Sequence, residues 1–202
     1  MKNTSTASTF LAACLIFAPA LTAQADCPLE GTWDTGFKTE LGHSYTRLVM
    51  TFDCEGHTKL TAHAARGKLL HATGAVVERT GTYTIVGPGE NAGTHNIDIV
   101  IESLQMRYSD PRSIEMVKAG NLSCGDPETV TINEPFPVLG KTCNGAKFPY
   151  LGFVEHAVAK FDGDQLYWNK LYGEDGLVIQ PPAEDPRRSL VLDETFVFSK
   201  TQ

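Results

Sequence analysis

The sequence predicts an all-β domain, an antiparallel barrel or sandwich of about eight to nine short strands with one short helix. Apolar residues recur with a period of two along most of the chain, as in half-buried strands. Gly and Pro clusters separate the alternating runs, and one segment alone carries both a helix start and a helix stop. The chain shows no internal repeat and no low-complexity tail, so residues 26–202 are expected to form a single domain.

Residues 1–25 are expected to be a secretory signal. Lys2 is their only charge, an apolar run follows from Phe10 to Phe17, and Ala23-Gln24-Ala25 is a small-x-small cleavage site. The run is shorter than the roughly 20 residues a spanning helix needs. Leu11-Ala12-Ala13-Cys14 resembles a lipoprotein box but lies inside the apolar run, so cleavage after Ala25 is the expectation. The protein should then be exported, either periplasmic or secreted.

The first strand is expected around Gly31-Thr32-Trp33. In residues 46–54, Leu48, Met50, Phe52 and Cys54 share one face, while Arg47, Thr51 and Asp53 take the other. Glu55-Gly56 turns the chain into residues 57–66, where Leu60, Ala62 and Ala64 alternate with Lys59, Thr61 and His63. A strand over residues 79–86 follows, then a breaker cluster over 87–93. The long strand 95–107 places Ile97, Ile99 and Ile101 opposite Asp98, Val100 and Glu102. Asp110-Pro111 offers an N-cap and a first-turn proline, and Gly120-Asn121 offers a stop, which predicts a helix or a surface connection over 111–119. A short strand is expected over 129–134. Asp162-Gly163-Asp164 joins strands 153–161 and 165–172 in a hairpin. The last strand spans 190–198, with Leu190, Leu192, Phe196 and Phe198 on one face.

Without the signal, the chain carries 16 basic residues against 24 acidic, a formal charge of −8. That balance opposes nucleic acid and anionic membrane surfaces as partners. Four cysteines remain, Cys27, Cys54, Cys124 and Cys143. An even count in an exported chain reads as disulfides. Three connectivities exist, and Cys27–Cys54 with Cys124–Cys143 is preferred because each pair is nearest in sequence. A four-cysteine zinc site would need a Cys-x-x-Cys spacing that is absent.

The chemistry-bearing motifs of nucleophilic, nucleotide-binding and zinc-protease sites are missing. His57 and His63 share a strand face but stand about 20 Å apart, too far to hold one metal ion. His43, His71, His95 and His156 are scattered, and a solvated face is the expectation for them. Asp162, Asp164, Glu174 and Asp175 lack the oxygen spacing of a calcium loop. Glu155-His156 sets an acid and a base on opposite strand faces. Glu102, Glu155 and Glu194 are the carboxylates an inward-facing site would use, either in acid-base chemistry or to bind a polar group of a ligand. No catalytic residue, metal or cofactor is assigned. Aromatic residues on predicted strands, Trp33, Tyr83, Phe153, Trp168 and Phe196, offer apolar area with polar handles. The candidate ligand contacts are Trp33, Met50, Phe52, Tyr83, Phe153 and Trp168.

A Gly-x-Trp on the first strand followed by successive β-hairpins resembles the lipocalin superfamily. The resemblance implies that Gly31 lets the chain turn into a barrel. It also implies that Trp33 closes one end beneath a basic side chain near the last strand, here Lys200. The chain is also similar to the extracellular domain of the adenomatosis-polyposis-coli-down-regulated family. The matching stretches are Leu29-x-Gly31-x-Trp33, Ser44-Tyr45-Thr46-Arg47-Leu48-Val49-Met50-Thr51-Phe52, Gly81-Thr82-Tyr83, Cys124-Gly125, Leu166-Tyr167 and Leu192-Asp193, ordered over nearly the whole mature chain. That resemblance implies a lipocalin-like barrel, extracellular binding in a hydrophobic pocket suited to a lipid-modified ligand, and no catalysis.

The expectation is therefore an exported, non-enzymatic barrel holding a small apolar molecule or lipid, not membrane-spanning and not bound to nucleic acid. The alternative is an envelope or secreted interaction module with a protein partner, acting through loops such as 67–78 and 181–186. The third is an enzyme built around an inward acid or histidine.

Overall fold

The computed structural model describes residues 27–40, 44–66, 73–143, 146–169, 192 and 197–201. The expected signal over 1–25 lies outside the described residues, as do His43, His71, Glu174, Asp175, Glu194, Phe196 and the proline-rich 181–186.

Period-two patterning becomes a closed antiparallel barrel of eight strands, with one further strand at its edge. Going round the barrel, β1 (Gly31–Asp34) pairs with β12 (Phe198–Thr201), then come β11 (Gln165–Trp168), β10 (Val154–Asp162), β6 (Thr94–Arg107), β5 (Thr73–Pro88), β4 (His57–Arg66) and β3 (Ser44–Phe52). Pairing of Trp33 with Met50 and of Gly31 with Phe52 joins β3 back to β1 and closes the ring. The short β2 (Lys38–Glu40) pairs with β3 beyond the end of β1. A closed ring leaves its strands no exposed edge, which is how small barrels avoid edge-to-edge association.

The alternation behaves as the residues dictate. Leu48, Met50 and Phe52 on β3 and Ile97, Ile99 and Ile101 on β6 are buried, and the register places Leu60 and Ala62 beside Met50 and Leu48. The interior cluster joins these to Leu29, Trp33, Ala157, Ala159, Leu166, Trp168 and Phe198. Each large member contributes about 1.5–3 kcal/mol by leaving water. The β3–β4 turn forms where expected. Gly56 supplies a left-handed φ of +90°, and the Asp53 carboxylate accepts the His57 backbone N–H at 2.8 Å. Gly163, with φ of +59°, makes the β10–β11 hairpin turn.

The helix α1 (Pro111–Lys118) forms with the expected signals. The Asp110 side chain accepts the Arg112 N–H at 3.0 Å, Pro111 opens the first turn, and Gly120 takes φ of +73° just past the C-cap Ala119. Val117 anchors it against Tyr108 and Val130.

The chain departs from expectation in four places. Strand β5 begins at Thr73, not at 79, because Ala75, Val76 and Val77 continue the alternation through Gly74. Residues 129–134 make no strand. A turn in which the Thr129 and Val130 N–H groups donate to the Asp126 carbonyl precedes them, and only an isolated bridge links Ile132 to Tyr108. Phe153 precedes β10 instead of opening it. Of the described residues of the predicted last strand 190–198, Phe198 opens β12, which continues to Thr201, Val197 precedes it, and Leu192 makes an isolated bridge to Asn169. Between α1 and β10, the strands β7 (Phe136–Pro137), β8 (Thr142–Cys143) and β9 (Ala146–Lys147) punctuate an otherwise irregular connection.

Both preferred cysteine pairs form, Cys27–Cys54 with Cα atoms 5.6 Å apart and Cys124–Cys143 with Cα atoms 4.8 Å apart. The first ties the segment before β1 to the β3–β4 turn. The second lies in a cluster with Leu104 and Val138 that fastens the β6–β10 connection over the barrel.

Candidate functional site

One barrel end is sealed by Trp33. Its indole N–H donates to the Leu29 carbonyl at 2.7 Å, and Lys200 Nζ lies 5.3 Å from the ring centroid. The stem of Lys200 passes over Gly31. A Cβ at position 31 would lie 2.8 Å from Lys200 Cε, and Gly31 adopts φ of +119°, which side-chain-bearing residues rarely take. The basic cover anticipated for Trp33 is thus present, supplied by lysine. Phe161 stands near Trp33, and Phe52 packs on both Tyr83 and Trp168, so aromatic rings fill the barrel from this end.

The opposite end is where the chain passes from β4 to β5, from β6 to β10 and from β11 to β12. Toward it the wall changes character. The register aligns Leu48 with Ala62, Thr46 with Ala64, and Ala64 with Ala75, all inward-facing positions. Leu60 and Ala62 are only partly buried although they face the barrel axis, and Ala64 is exposed. Small side chains leave part of this wall accessible, whereas Ala75 itself packs against the Tyr108, Val117 and Val130 cluster of the β6–β10 connection.

Within the same interior lies an ion pair. Arg79 on β5 faces inward between Leu60 and Leu104, and Glu155 on β10 faces inward beside Ile99. The two strands flank β6, and Arg79 Nη1 donates to Glu155 Oε2 across it, with each side chain about one-tenth exposed (11%). A β-bulge between Thr80 and Gly81 follows Arg79 directly. Gly81 is required there, since a Cβ would meet the Val100 carbonyl oxygen at 2.1 Å. Trp168 adds a second buried polar atom. Its Nε1–H has no hydrogen-bond partner among the described residues.

The outer wall carries ordinary charge pairing. Asp34 binds Arg47, Glu78 binds Lys59 at 2.9 Å and Arg107 at 3.3 Å, and His156 binds Asp98 at 2.8 Å. Burial pushes the Asp34 carboxyl upward, but the hydrogen bonds from Arg47 and the Gly36 N–H outweigh it and hold the group below the usual range. His63 is held below its ordinary value by burial and by the Arg47 and Arg107 charges. His57, hydrogen-bonded to Asp53 at the β3–β4 turn, is raised. Asp53, His57, Lys59 and Glu102 line a shallow outer cleft of about 260 Å³. Among the described residues no three His, Cys, Asp or Glu side chains converge as metal ligands.

The structure brings Trp33, Met50, Phe52 and Trp168 together in the interior cluster, with Tyr83 packed against it. Phe153 is set apart from them and packs edge-on against Tyr150. Glu155 and His156 take opposite faces, as the alternation requires, and Glu102 is exposed on the outer wall. Arg79 escaped sequence reasoning, although Arg79, Gly81, Tyr83 and Ile85 share one parity that places the arginine with the inward aromatic. Of the loop expected over 67–78, residues 73–78 belong instead to β5, and 67–72 lie outside the described residues.

No protein-family model matches this chain, and a search of curated proteins finds no similar one. The closed eight-stranded antiparallel barrel is compatible with a lipocalin-like fold. Among the described residues no helix is long and apolar enough to cross a membrane.

Proposed function

We propose that this protein is an exported, non-enzymatic, lipocalin-like binding protein that holds a small apolar molecule or lipid inside its barrel. The observation that carries the reading is the graded interior. Aromatic rings and Lys200 seal one end, while Leu60, Ala62 and Ala64 toward the other keep part of their apolar surface accessible. Apolar concavities with a few polar groups are the usual form of small-molecule sites, and barrel mouths are a common place for them. Two cysteine pairs at disulfide distance are consistent with export to an oxidising compartment. The inward acid Glu155 is engaged with an arginine, which supports binding over acid-base catalysis.

The test is uptake of the neutral naphthylamine probe N-phenyl-1-naphthylamine, followed by its fluorescence, together with native mass spectrometry of the purified protein. Saturable uptake is expected, and Ala62→Phe, which covers this accessible surface, should weaken it by at least about tenfold. No uptake by the folded protein, or uptake indifferent to Ala62→Phe, would overturn the proposal.

A further inference from the structure

Arg79 and Glu155 are incompletely used by one another. A guanidinium carries five N–H donors and a carboxylate two acceptor oxygens. The pair makes a single hydrogen bond, from Nη1 to Oε2, and neither side chain has another partner among the described residues. Charged groups withdrawn from water are stabilised only when their remaining donors and acceptors are satisfied. Among the described residues, guanidinium donors and a carboxylate oxygen are thus left unpaired side by side in the barrel without being fully buried, and the two charges offset each other.

That pattern selects among ligand heads. A carboxylate accepts from Arg79 but brings its charge against Glu155. An ammonium suffers the converse with Arg79. An alcohol can accept from Arg79 and donate to Glu155 only through one shared oxygen, whereas a carboxamide sets a stronger acceptor and a donor on separate atoms. A neutral carboxamide answers both, its carbonyl oxygen accepting from the guanidinium and its N–H donating to Glu155 Oε1. The apolar remainder of such a molecule would lie along Leu60 and Ala62, which adjoin Arg79 in the β4–β5 register.

Resting on the binding function proposed above, we propose that Arg79 and Glu155 form the polar anchor for an apolar ligand with a neutral carboxamide head. The site recognises the amide by a donor and an acceptor held side by side, and discriminates against carboxylates through Glu155.

The experiment is displacement of N-phenyl-1-naphthylamine from the full-length purified protein by octanamide, octanoate and octan-1-ol. Octanamide should displace the probe at about tenfold lower concentration than octan-1-ol, the increment expected of a hydrogen bond to a charged group, and octanoate should be weakest. Glu155→Gln keeps an acceptor for Arg79 but removes the opposing charge, so octanoate should overtake octanamide. The paired replacement Arg79→Met with Glu155→Leu should lose the preference for octanamide over octan-1-ol. Equal displacement by the three, or octanoate leading in the wild type, would overturn the carboxamide anchor while leaving the binding function standing. A preference for octanamide over octan-1-ol that survives the paired replacement in a folded protein does the same. Failure of the wild type to take up the probe would overturn both.

Discussion

Gly31→Ala tests the sealed end of the barrel. Gly31 takes φ of +119°, so any side chain there is strained, at about 1–3 kcal/mol for backbone held in such a region. The new Cβ would also stand 2.8 Å from Lys200 Cε. Lys200 is the movable partner, because Trp33 is buried and pinned by its bond to the Leu29 carbonyl. Displacing Lys200 forfeits its placement over the indole, roughly 0.5–1 kcal/mol for a partly exposed cation–π contact. The two terms separate in a cycle. In the wild type Gly31→Ala should cost about 1.5–4 kcal/mol, and in a Lys200→Ala background only the backbone share of about 1–3 kcal/mol should remain. Urea unfolding monitored by tryptophan fluorescence reads both. A wild-type cost below about 0.5 kcal/mol, the range of an ordinary surface substitution, would refute the conformational argument. An equal cost in the two backgrounds would refute the steric link to Lys200.

Three further outcomes follow from the structure. The Cys27–Cys54 and Cys124–Cys143 bridges close segments with sequence separations of 27 and 19 residues, and loop entropy assigns each about 3–4 kcal/mol; paired serine variants losing less than about 1 kcal/mol in urea would contradict that assignment. Glu155→Leu alone should cost about 3–5 kcal/mol by stranding Arg79 in the interior, whereas adding Arg79→Met should restore most of it, and a single variant as benign as the double would show that the arginine finds water. The two outer-face histidines should titrate apart in a proton NMR titration, with His57 above and His63 below the ordinary 6.5. For His63 the lowered folded value means that stability falls as pH drops from 6.5 to that value, since only the unfolded chain binds the proton there. For His57 the raised value means a contribution present below 6.5 and lost as pH rises through it, and coincident titrations would refute the assigned environments.

The alternation of Leu48, Met50 and Phe52, and of Ile97, Ile99 and Ile101, was legible because each strand has one wet and one dry face. The cysteine pairing was legible by proximity, and the helix by its cap. Arg79 was not, for a physical reason. Its partner lies 76 residues away on a strand that does not pair with its own, so no local pattern announces the contact. The inward direction of Arg79 was recoverable by continuing the parity of Tyr83 and Gly81 backward, but a charged residue heading a strand ordinarily reads as its solvated beginning. The stretch 129–134 misled in the opposite sense. Its Thr and Val residues carry β propensity, yet Asn133 at φ of +62° breaks the extended path, and tertiary context decides such short runs. Phe153 shows the limit of boundaries, since it stands immediately before β10 and packs on Tyr150, apart from the barrel cluster.

The two halves of the barrel differ in what they gain from their side chains. At the sealed end every large ring has a neighbour, and the indole N–H of Trp33, the Lys200 cation and the Cys27–Cys54 link all serve closure. Were the other end built for stability alone, larger apolar residues in place of Ala62, Ala64 and Ala75 would bury more surface, and two apolar residues of matching volume in place of Arg79 and Glu155 would be no worse for folding. The chain instead keeps alanines and a half-satisfied ion pair there. It also spends a β-bulge and a glycine with no room for a methyl group immediately after the arginine. Stability accounts for the first set of residues, and the proposed recognition of a molecule with one polar end would account for the ion pair and the small side chains beside it together.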